Sequence, residues 1–284
     1  LSGTGYGNAF GGHTLQIDPG ASASIAGRIE LDPGTNAINN AGVLTFENAS
    51  DISQLYGNGG PLNLTNSGTI TKNGAGTLQL GGGYLGDVNL TNSGTINILQ
   101  GTLNYASGTG SSLGGTIAIA SGAAYQTGGA AITFDAASIF NNAGNLLTTA
   151  GSASFAMPTA NFTQIGTITT TGGSIAFPYE INVPSIAISG GTTVFNAALT
   201  TPSFNQSGGS TVFNAAATTP SFTQSGGNLG GTGTLTLTGP SNTWSGTNGS
   251  WTGNGSVIVT NGANLALSGT GYGNAFGGHT LQID

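Results

Sequence analysis

The sequence predicts an all-β chain that folds as a parallel β-helix, or β-solenoid, with coils of roughly 18–26 residues and essentially no α-helix. Three observations carry this prediction. Short segments alternate apolar and polar residues, glycine-rich pairs separate them, and longer stretches recur at fixed offsets.

The alternating segments predict strands with one buried face. Residues 234–238 read TLTLT, residues 256–259 read SVIV, and residues 77–80 read TLQL. Apolar side chains at every second position point to the same side of a strand. Gly-Gly, Ser-Gly, Asn-Gly or Pro-Gly pairs, which favour turns, bound these segments. No stretch of ten or more residues keeps a helical period without Gly or Pro, so helices are not expected.

Two internal repeats predict the coil length. Residues 191–209 (GTTVFNAALTTPSFNQSGG) recur as residues 209–227 (GSTVFNAAATTPSFTQSGG), an offset of 18, and residues 62–70 recur as residues 88–96, an offset of 26. Coils of this size stack about 4.8 Å apart, with equivalent side chains above one another. A β-sandwich or a propeller fits less well, because both need longer strands joined as antiparallel hairpins. We therefore predict a core stacking ladder of Phe195 over Phe213 and Phe204 over Phe222.

The longest repeat predicts the domain organisation. Residues 267–284 copy residues 1–18, LSGTGYGNAFGGHTLQID, at an offset of 266. We interpret residues 1–266 as one period of a tandem-repeat β-solenoid and residues 267–284 as the first coil of the next period. One period would hold about 10–15 coils, or about 50–70 Å of solenoid.

The composition excludes several classes of function. Charged residues make up 4% of the chain, against about 25% in typical domains. With two basic residues and a formal net charge of −7, the chain cannot neutralise a nucleic-acid backbone. It has no cysteine for a thiolate metal site or a disulfide. No apolar run is long enough for a membrane-spanning helix.

The titratable residues do not form a recognisable catalytic or metal-binding pattern. The acidic residues are scattered, and the densest group is Arg28, Glu30 and Asp32, which alternation places on one outward face. We predict a solvated ion pair there, with a calcium or glycan contact as the alternative. His13 and His279 occupy the same place in the copied segment and are expected in turns, without partner ligands. We therefore predict no catalytic residue, no metal and no cofactor.

Two tryptophans leave two interpretations open. Trp244 and Trp251 lie in the segment SNTWSGTNGSWTGNGS, whose small polar residues are typical of turns. Exposed rings at these positions would stack on a sugar or a partner protein, so both are candidate glycan or partner contacts. Alternatively, both rings fold back and fill the interior of the coil.

One segment resembles a known repeat. Residues 68–82, GTITKNGAGTLQLGG, resemble the passenger-associated repeat of bacterial autotransporters, and the chain as a whole is similar in style to haemagglutinin-like giant bacterial surface proteins. The resemblance in motif is close over this one segment. It implies a secreted, right-handed parallel β-helix that is exported through an outer membrane and serves as an adhesin or matrix protein. The matching residues are Gly68, Thr69, Lys72, Gly74, Gly76, Thr77, Leu78 and Leu80.

These observations favour a structural function. The leading hypothesis is an extracellular β-solenoid that forms a fibre, sheath or biofilm-matrix filament outside a bacterial cell and whose partners are copies of itself, end to end or side by side. The alternative is a cell-surface adhesin that binds glycans or neighbouring cells on the same fold. An enzyme acting on acidic polysaccharide, or ice binding through residues 169–171 (TTT), has less support because neither a carboxylate cluster nor a regular threonine array is present.

Overall fold

The computed structural model describes residues 8–10, 12–27, 29–31, 34–47, 51–54, 60–82, 87–108, 111–245, 249–269 and 275–284. It confirms the predicted fold class, an all-β parallel β-solenoid. The handedness stays a prediction. Two compact units are present, residues 1–147 with 151–163 and residues 148–150 with 164–284, and each is built from short strands joined by tight turns.

In the first unit each coil contributes three strands, and equivalent strands of successive coils pair in parallel. Every third strand along the chain belongs to a seven-stranded sheet, β21-β18-β15-β12-β9-β6-β3. The strands are β1 (Asn8–Phe10), β2 (Thr14–Ile17), β3 (Ser22–Ile25), β4 (Ile29–Leu31), β5 (Asn36–Asn40), β6 (Val43–Glu47), β7 (Asp51–Gln54), β8 (Leu62–Asn66), β9 (Thr69–Asn73), β10 (Thr77–Leu80), β11 (Val88–Asn92), β12 (Thr95–Ile98), β13 (Thr102–Tyr105), β14 (Ser111–Leu113), β15 (Thr116–Ile119), β16 (Ala124–Thr127), β17 (Ala131–Phe134), β18 (Ile139–Asn142), β19 (Asn145–Thr148), β20 (Ser152–Phe155) and, after a 3-10 turn at Thr159–Asn161, β21 (Phe162–Gln164).

The second unit repeats this plan with a six-stranded sheet, β23-β25-β28-β31-β34-β37. Its two longest strands, Thr167–Phe177 and Ile186–Phe195, pair with shifts of register near Thr171. The second of them pairs with two separate strands of the next coil and so forms two of its sides. The strands are β22 (Thr167–Phe177), β23 (Ile181–Asn182), β24 (Ile186–Phe195), β25 (Leu199–Thr200), β26 (Phe204–Gln206), β27 (Ser210–Phe213), β28 (Ala217–Thr219), β29 (Phe222–Gln224), β30 (Asn228–Gly231), β31 (Thr234–Leu237), β32 (Asn242–Trp244), β33 (Ser250–Thr252), β34 (Ser256–Val259), β35 (Leu265–Leu267), β36 (Ala275–Gly277) and β37 (Thr280–Ile283).

The registers agree with the coil lengths that the repeats predict. Thr192 pairs with Ser210, at an offset of 18 along the chain. Leu62 pairs with Val88, at an offset of 26. The offset between two similar segments therefore gives the length of the coil directly.

The core consists of columns of equivalent side chains. On the seven-stranded sheet Leu44 pairs with Ile70, Ile70 with Ile96, and Ile96 with Ile117. All four are at most 1% exposed. A single three-strand coil is too thin to bury a side chain by itself. Each of these side chains is therefore covered by its equivalents in the neighbouring coils.

A buried asparagine ladder runs beside these aliphatic columns. The Asn40 amide donates to Oδ1 of Asn66 at 2.7 Å, and the Asn66 amide donates to Oδ1 of Asn92 at 2.6 Å. All three residues are at most 2% exposed. Their amides also donate to backbone carbonyls, as the Asn66 amide does to the carbonyl of Thr95, the first residue of β12, at 3.1 Å. The ladder therefore links three successive coils at the corners where β5, β8 and β11 end.

Close stacking at that corner requires glycine. A Cβ atom added to Gly94 would fall well inside the van der Waals distance of the Gly68 carbonyl oxygen in the preceding coil. We expect Gly94→Ala to lower the free energy of unfolding by about 1–3 kcal/mol, as overpacking does, measured by urea denaturation. At Gly277 the nearest atoms to an added Cβ are 3.6 Å away, so Gly277→Ala is the control. Equal effects of the two substitutions would contradict this account.

Candidate functional site

The outward surface carries polar side-chain pairs that join neighbouring coils. Each pair consists of amide or hydroxyl side chains at equivalent positions of adjacent coils. The pairs are Asn63 and Asn89 (3.1 Å), Thr133 and Ser154 (3.3 Å), Asn196 and Asn214 (2.8 Å), and Thr234 and Ser256 (2.9 Å). Uncharged side chains suit these positions, because like charges repeated every coil would repel one another. The outward surface thus strengthens the stacking of coils.

The phenylalanines form the ladder that their repeat in the sequence predicts. Phe195 stacks on Phe213 with ring centroids 5.6 Å apart, and Phe204 stacks on Phe222 at 5.7 Å. Phe177 extends the first column at 5.5 Å from Phe195. Each of these rings is at most 2% exposed. The ladder is therefore part of the core and offers no binding surface.

Trp244 and Trp251 lie in the interior of the second unit. Both are 0% exposed, and their rings stack face to face with centroids 4.1 Å apart. The Trp251 indole nitrogen donates to Oε1 of Gln224 at 2.5 Å, and Gln224 is itself buried. The prediction that these rings form an exposed glycan or partner contact is therefore wrong. The alternative, that they fill the coil, describes their position.

The tryptophan pair lies beside the end of the phenylalanine columns, with the Trp251 ring 6.3 Å from the ring of Phe222. Phe213 pairs with Gly231, which has no side chain to continue the column. The coil also lengthens here, since Asn228 pairs with Ser250 at an offset of 22. This longer coil contains no phenylalanine, so other large side chains are needed to keep a close-packed interior. The two indole rings supply that volume.

Lys72 is a buried cation that the pattern of the sequence did not identify as a core residue. It is 0% exposed, and its Nζ donates to the carbonyls of Asn73 at 3.1 Å and Gly74 at 2.7 Å. Burial lowers the pKa of Lys72, and the charge of Glu47 partly opposes this shift. The signal was available, because Lys72 is two positions after the inward Ile70 in a strand. Lys72 thus closes a turn from inside the coil.

This buried lysine predicts a specific pH dependence. Because its pKa in the folded state is below the ordinary value of 10.5, the unfolded chain holds the proton more tightly than the folded chain. Stability contributed by this site therefore rises with pH between the lowered pKa and 10.5. We expect the stability of the parent, measured relative to Lys72→Met in urea, to increase from pH 8 to pH 10. A difference that stays constant over this range would contradict the prediction.

The other titratable candidates do not assemble into a site. Arg28 and Asp32 lie outside the described residues, as does the side chain of Glu30, so the outward ion pair stays a prediction. His13 is exposed, whereas its copy His279 is half-buried, and burial lowers the pKa of His279. Within the described ranges no three His, Cys, Asp or Glu side chains come close enough to hold a metal ion.

A shallow depression of about 370 Å³ lies at the turns of the first unit. Its lining contains no titratable side chain, and Leu99 is 49% exposed. It therefore provides no group for acid–base chemistry, and no base that could activate the Ser121 hydroxyl lines it. The lining residues are Ala75, Leu99, Gln100, Gly101, Ser121 and Gly122.

Comparison with protein-family models, with curated proteins and with solved structures gives no match for this chain. Among the residues that the structure describes, no helix is long and apolar enough to cross a membrane. Any function proposed for the chain consequently depends on its own geometry.

Proposed function

We propose that this chain is a structural, non-enzymatic component of a filament, sheath or biofilm matrix outside a bacterial cell. The observation that carries the proposal is the continuity of its ladders. Aliphatic, aromatic and amide side chains all bond or pack along the direction in which coils stack, as in Asn40, Asn66 and Asn92. Such ladders lengthen without limit as coils are added, which suits a fibre.

The extracellular location is supported by composition and by the autotransporter-like segment. With only two basic residues, the chain offers few sites to proteases that cleave after Lys or Arg, and Lys72 is buried. In the segment 68–82 the motif residues form β9 and β10 and close the turn between them. The motif therefore acts as a folding element, in agreement with export as an unfolded chain that folds outside the cell.

The candidate residues of the adhesin alternative are not available for binding. It depended on exposed tryptophan rings, and both rings lie inside the coil. Sugar binding there would require a coil to open, which would break the stacking of Trp244 on Trp251. We therefore retain the structural function and propose no glycan site.

Immunogold electron microscopy tests this function. Antibodies raised against the purified chain should label thin filaments or a sheath outside the cells that produce it, and a strain lacking the gene should lose both label and filaments. Label confined to the cell interior, or to separate globular particles, would overturn the proposal.

A further inference from the structure

Two inward columns of the second unit meet across one corner of its coils. All eight side chains of these columns are at most 1% exposed. In successive coils the first column consists of Thr170, Ile188, Gln206 and Gln224. The second column, taken one coil later at each step, consists of Thr193, Thr211, Leu229 and Trp251.

At two places a side chain of the second column donates a hydrogen bond to the first column of the preceding coil. The Thr193 hydroxyl donates to Oγ1 of Thr170 at 2.9 Å. The Trp251 indole nitrogen donates to Oε1 of Gln224 at 2.5 Å. The donors follow their acceptors by 23 and 27 residues. The same direction of bonding between consecutive coils therefore recurs across this corner.

The two intervening places combine a polar side chain with an apolar one. In this arrangement Thr211 meets Ile188, which cannot accept a hydrogen bond, and Gln206 meets Leu229, which cannot donate one. Oγ1 of Thr211 and Oε1 of Gln206 are both buried, and neither has a hydrogen-bond partner among the residues that the structure describes. One hydroxyl and one amide oxygen of the same coil are therefore left over.

These two side chains flank the same corner. Gln206 is the last residue of β26, and Thr211 is the second residue of β27. The Gln206 amide nitrogen donates to the carbonyls of Gly209 at 3.4 Å and Asn228 at 2.9 Å. Asn228 pairs with Ser210, the residue that precedes Thr211. The amide group of Gln206 therefore lies at the start of β27, on the inward side that Thr211 faces.

We propose that this corner binds one internal water molecule, which donates to Oε1 of Gln206 and accepts a hydrogen bond from Oγ1 of Thr211. Buried polar atoms in proteins rarely stay without a partner, because their desolvation is costly. A buried water typically bonds about two to four such groups. One water satisfies both of these atoms, which the apolar Ile188 and Leu229 cannot do. The site belongs to the folded unit and does not depend on the proposed function.

The sign of the effect of Thr211→Val tests the site, because valine keeps the shape of threonine and removes its hydroxyl. A hydroxyl that bonds the water stabilises the fold, so we expect the equilibrium constant for unfolding in urea to rise at least about fivefold. A hydroxyl without any partner only costs desolvation free energy. Unchanged or increased stability of Thr211→Val would therefore overturn the proposal. The matched control is Thr193→Val, which removes a hydroxyl with a direct hydrogen bond and should have an effect of similar size.

A high-resolution crystal structure of the parent chain identifies the partner and decides the question even where Thr211→Val fails to fold. We expect one ordered water within about 2.7–3.2 Å of both Oε1 of Gln206 and Oγ1 of Thr211. The water should be lost in crystals of Thr211→Val. Absence of density for a water between the two atoms in the parent, or a direct hydrogen bond from the Thr211 hydroxyl to the Gln206 amide oxygen, would overturn the proposal.

Discussion

Replacing Trp251 by alanine is expected to lower the free energy of unfolding by about 3–5 kcal/mol, the range for removing a large aromatic side chain from a core. The substitution empties the space beside Trp244, whose ring lies 4.1 Å away. It also removes the indole donor to Gln224, leaving a buried amide oxygen without that hydrogen bond. Gly231, in which the adjacent phenylalanine column ends, has no side chain that could fill the gap.

The measurement is urea denaturation followed by far-ultraviolet circular dichroism. Trp251→Phe is the matched control, since it keeps an aromatic ring and should cost clearly less than the alanine variant. In the parent chain, tryptophan emission should be blue-shifted and resistant to iodide quenching. Ready quenching, or a loss below about 0.5 kcal/mol for Trp251→Ala, as expected of a surface site, would place the rings outside the core.

Asn66→Ala is expected to lower the free energy of unfolding by about 2–4 kcal/mol, because it leaves buried partners on both sides unsatisfied. Asn40 loses the acceptor of its 2.7 Å hydrogen bond, and Asn92 loses the donor of its 2.6 Å hydrogen bond. The Thr95 carbonyl loses its side-chain donor as well. Water cannot replace these partners without opening the corner of the coil, so the full cost of desolvation should appear.

Asn63 provides the matched control for this prediction. It lies in the same strand as Asn66 and accepts a similar hydrogen bond from Asn89 at 3.1 Å, but on the exposed face. Solvent can replace that bond, so Asn63→Ala should change stability by less than about 0.5 kcal/mol. Urea midpoints of the two variants should therefore differ widely. Similar midpoints would show that burial of the amide ladder contributes little.

The architecture was predictable because the spacing between repeated segments equals the length of one coil. When equivalent side chains stack, the residue that suits one coil also suits the next, so Phe195 and Phe213 are found one coil apart in the sequence. The alternation of apolar and polar residues then predicts where the strands lie, and the glycine-rich pairs predict the turns between them. Alternation also places Lys72 on the inward face of its strand, two positions after Ile70. Its charge argues against a buried position. The structure resolves this conflict, because the carbonyls of Asn73 and Gly74 accept hydrogen bonds from its Nζ.

The tryptophan positions could not be decided from the sequence. Trp244 and Trp251 occur once each, in different short strands, and no second copy shows which column they continue. Their small polar neighbours are typical of turns in any β-protein. The structure decides it, because Trp244 pairs with the buried Gln224 and Trp251 pairs with the buried Leu229, so both rings continue inward columns.

Fibre diffraction from aligned native filaments tests the central claim, that coils of this chain stack along a filament axis. The account predicts a strong reflection near about 4.8 Å on the meridian, because the strands lie across the axis and the coils repeat along it at that spacing. Deleting the gene should remove this reflection. The same reflection on the equator, or its persistence in the deletion strain, would contradict the account.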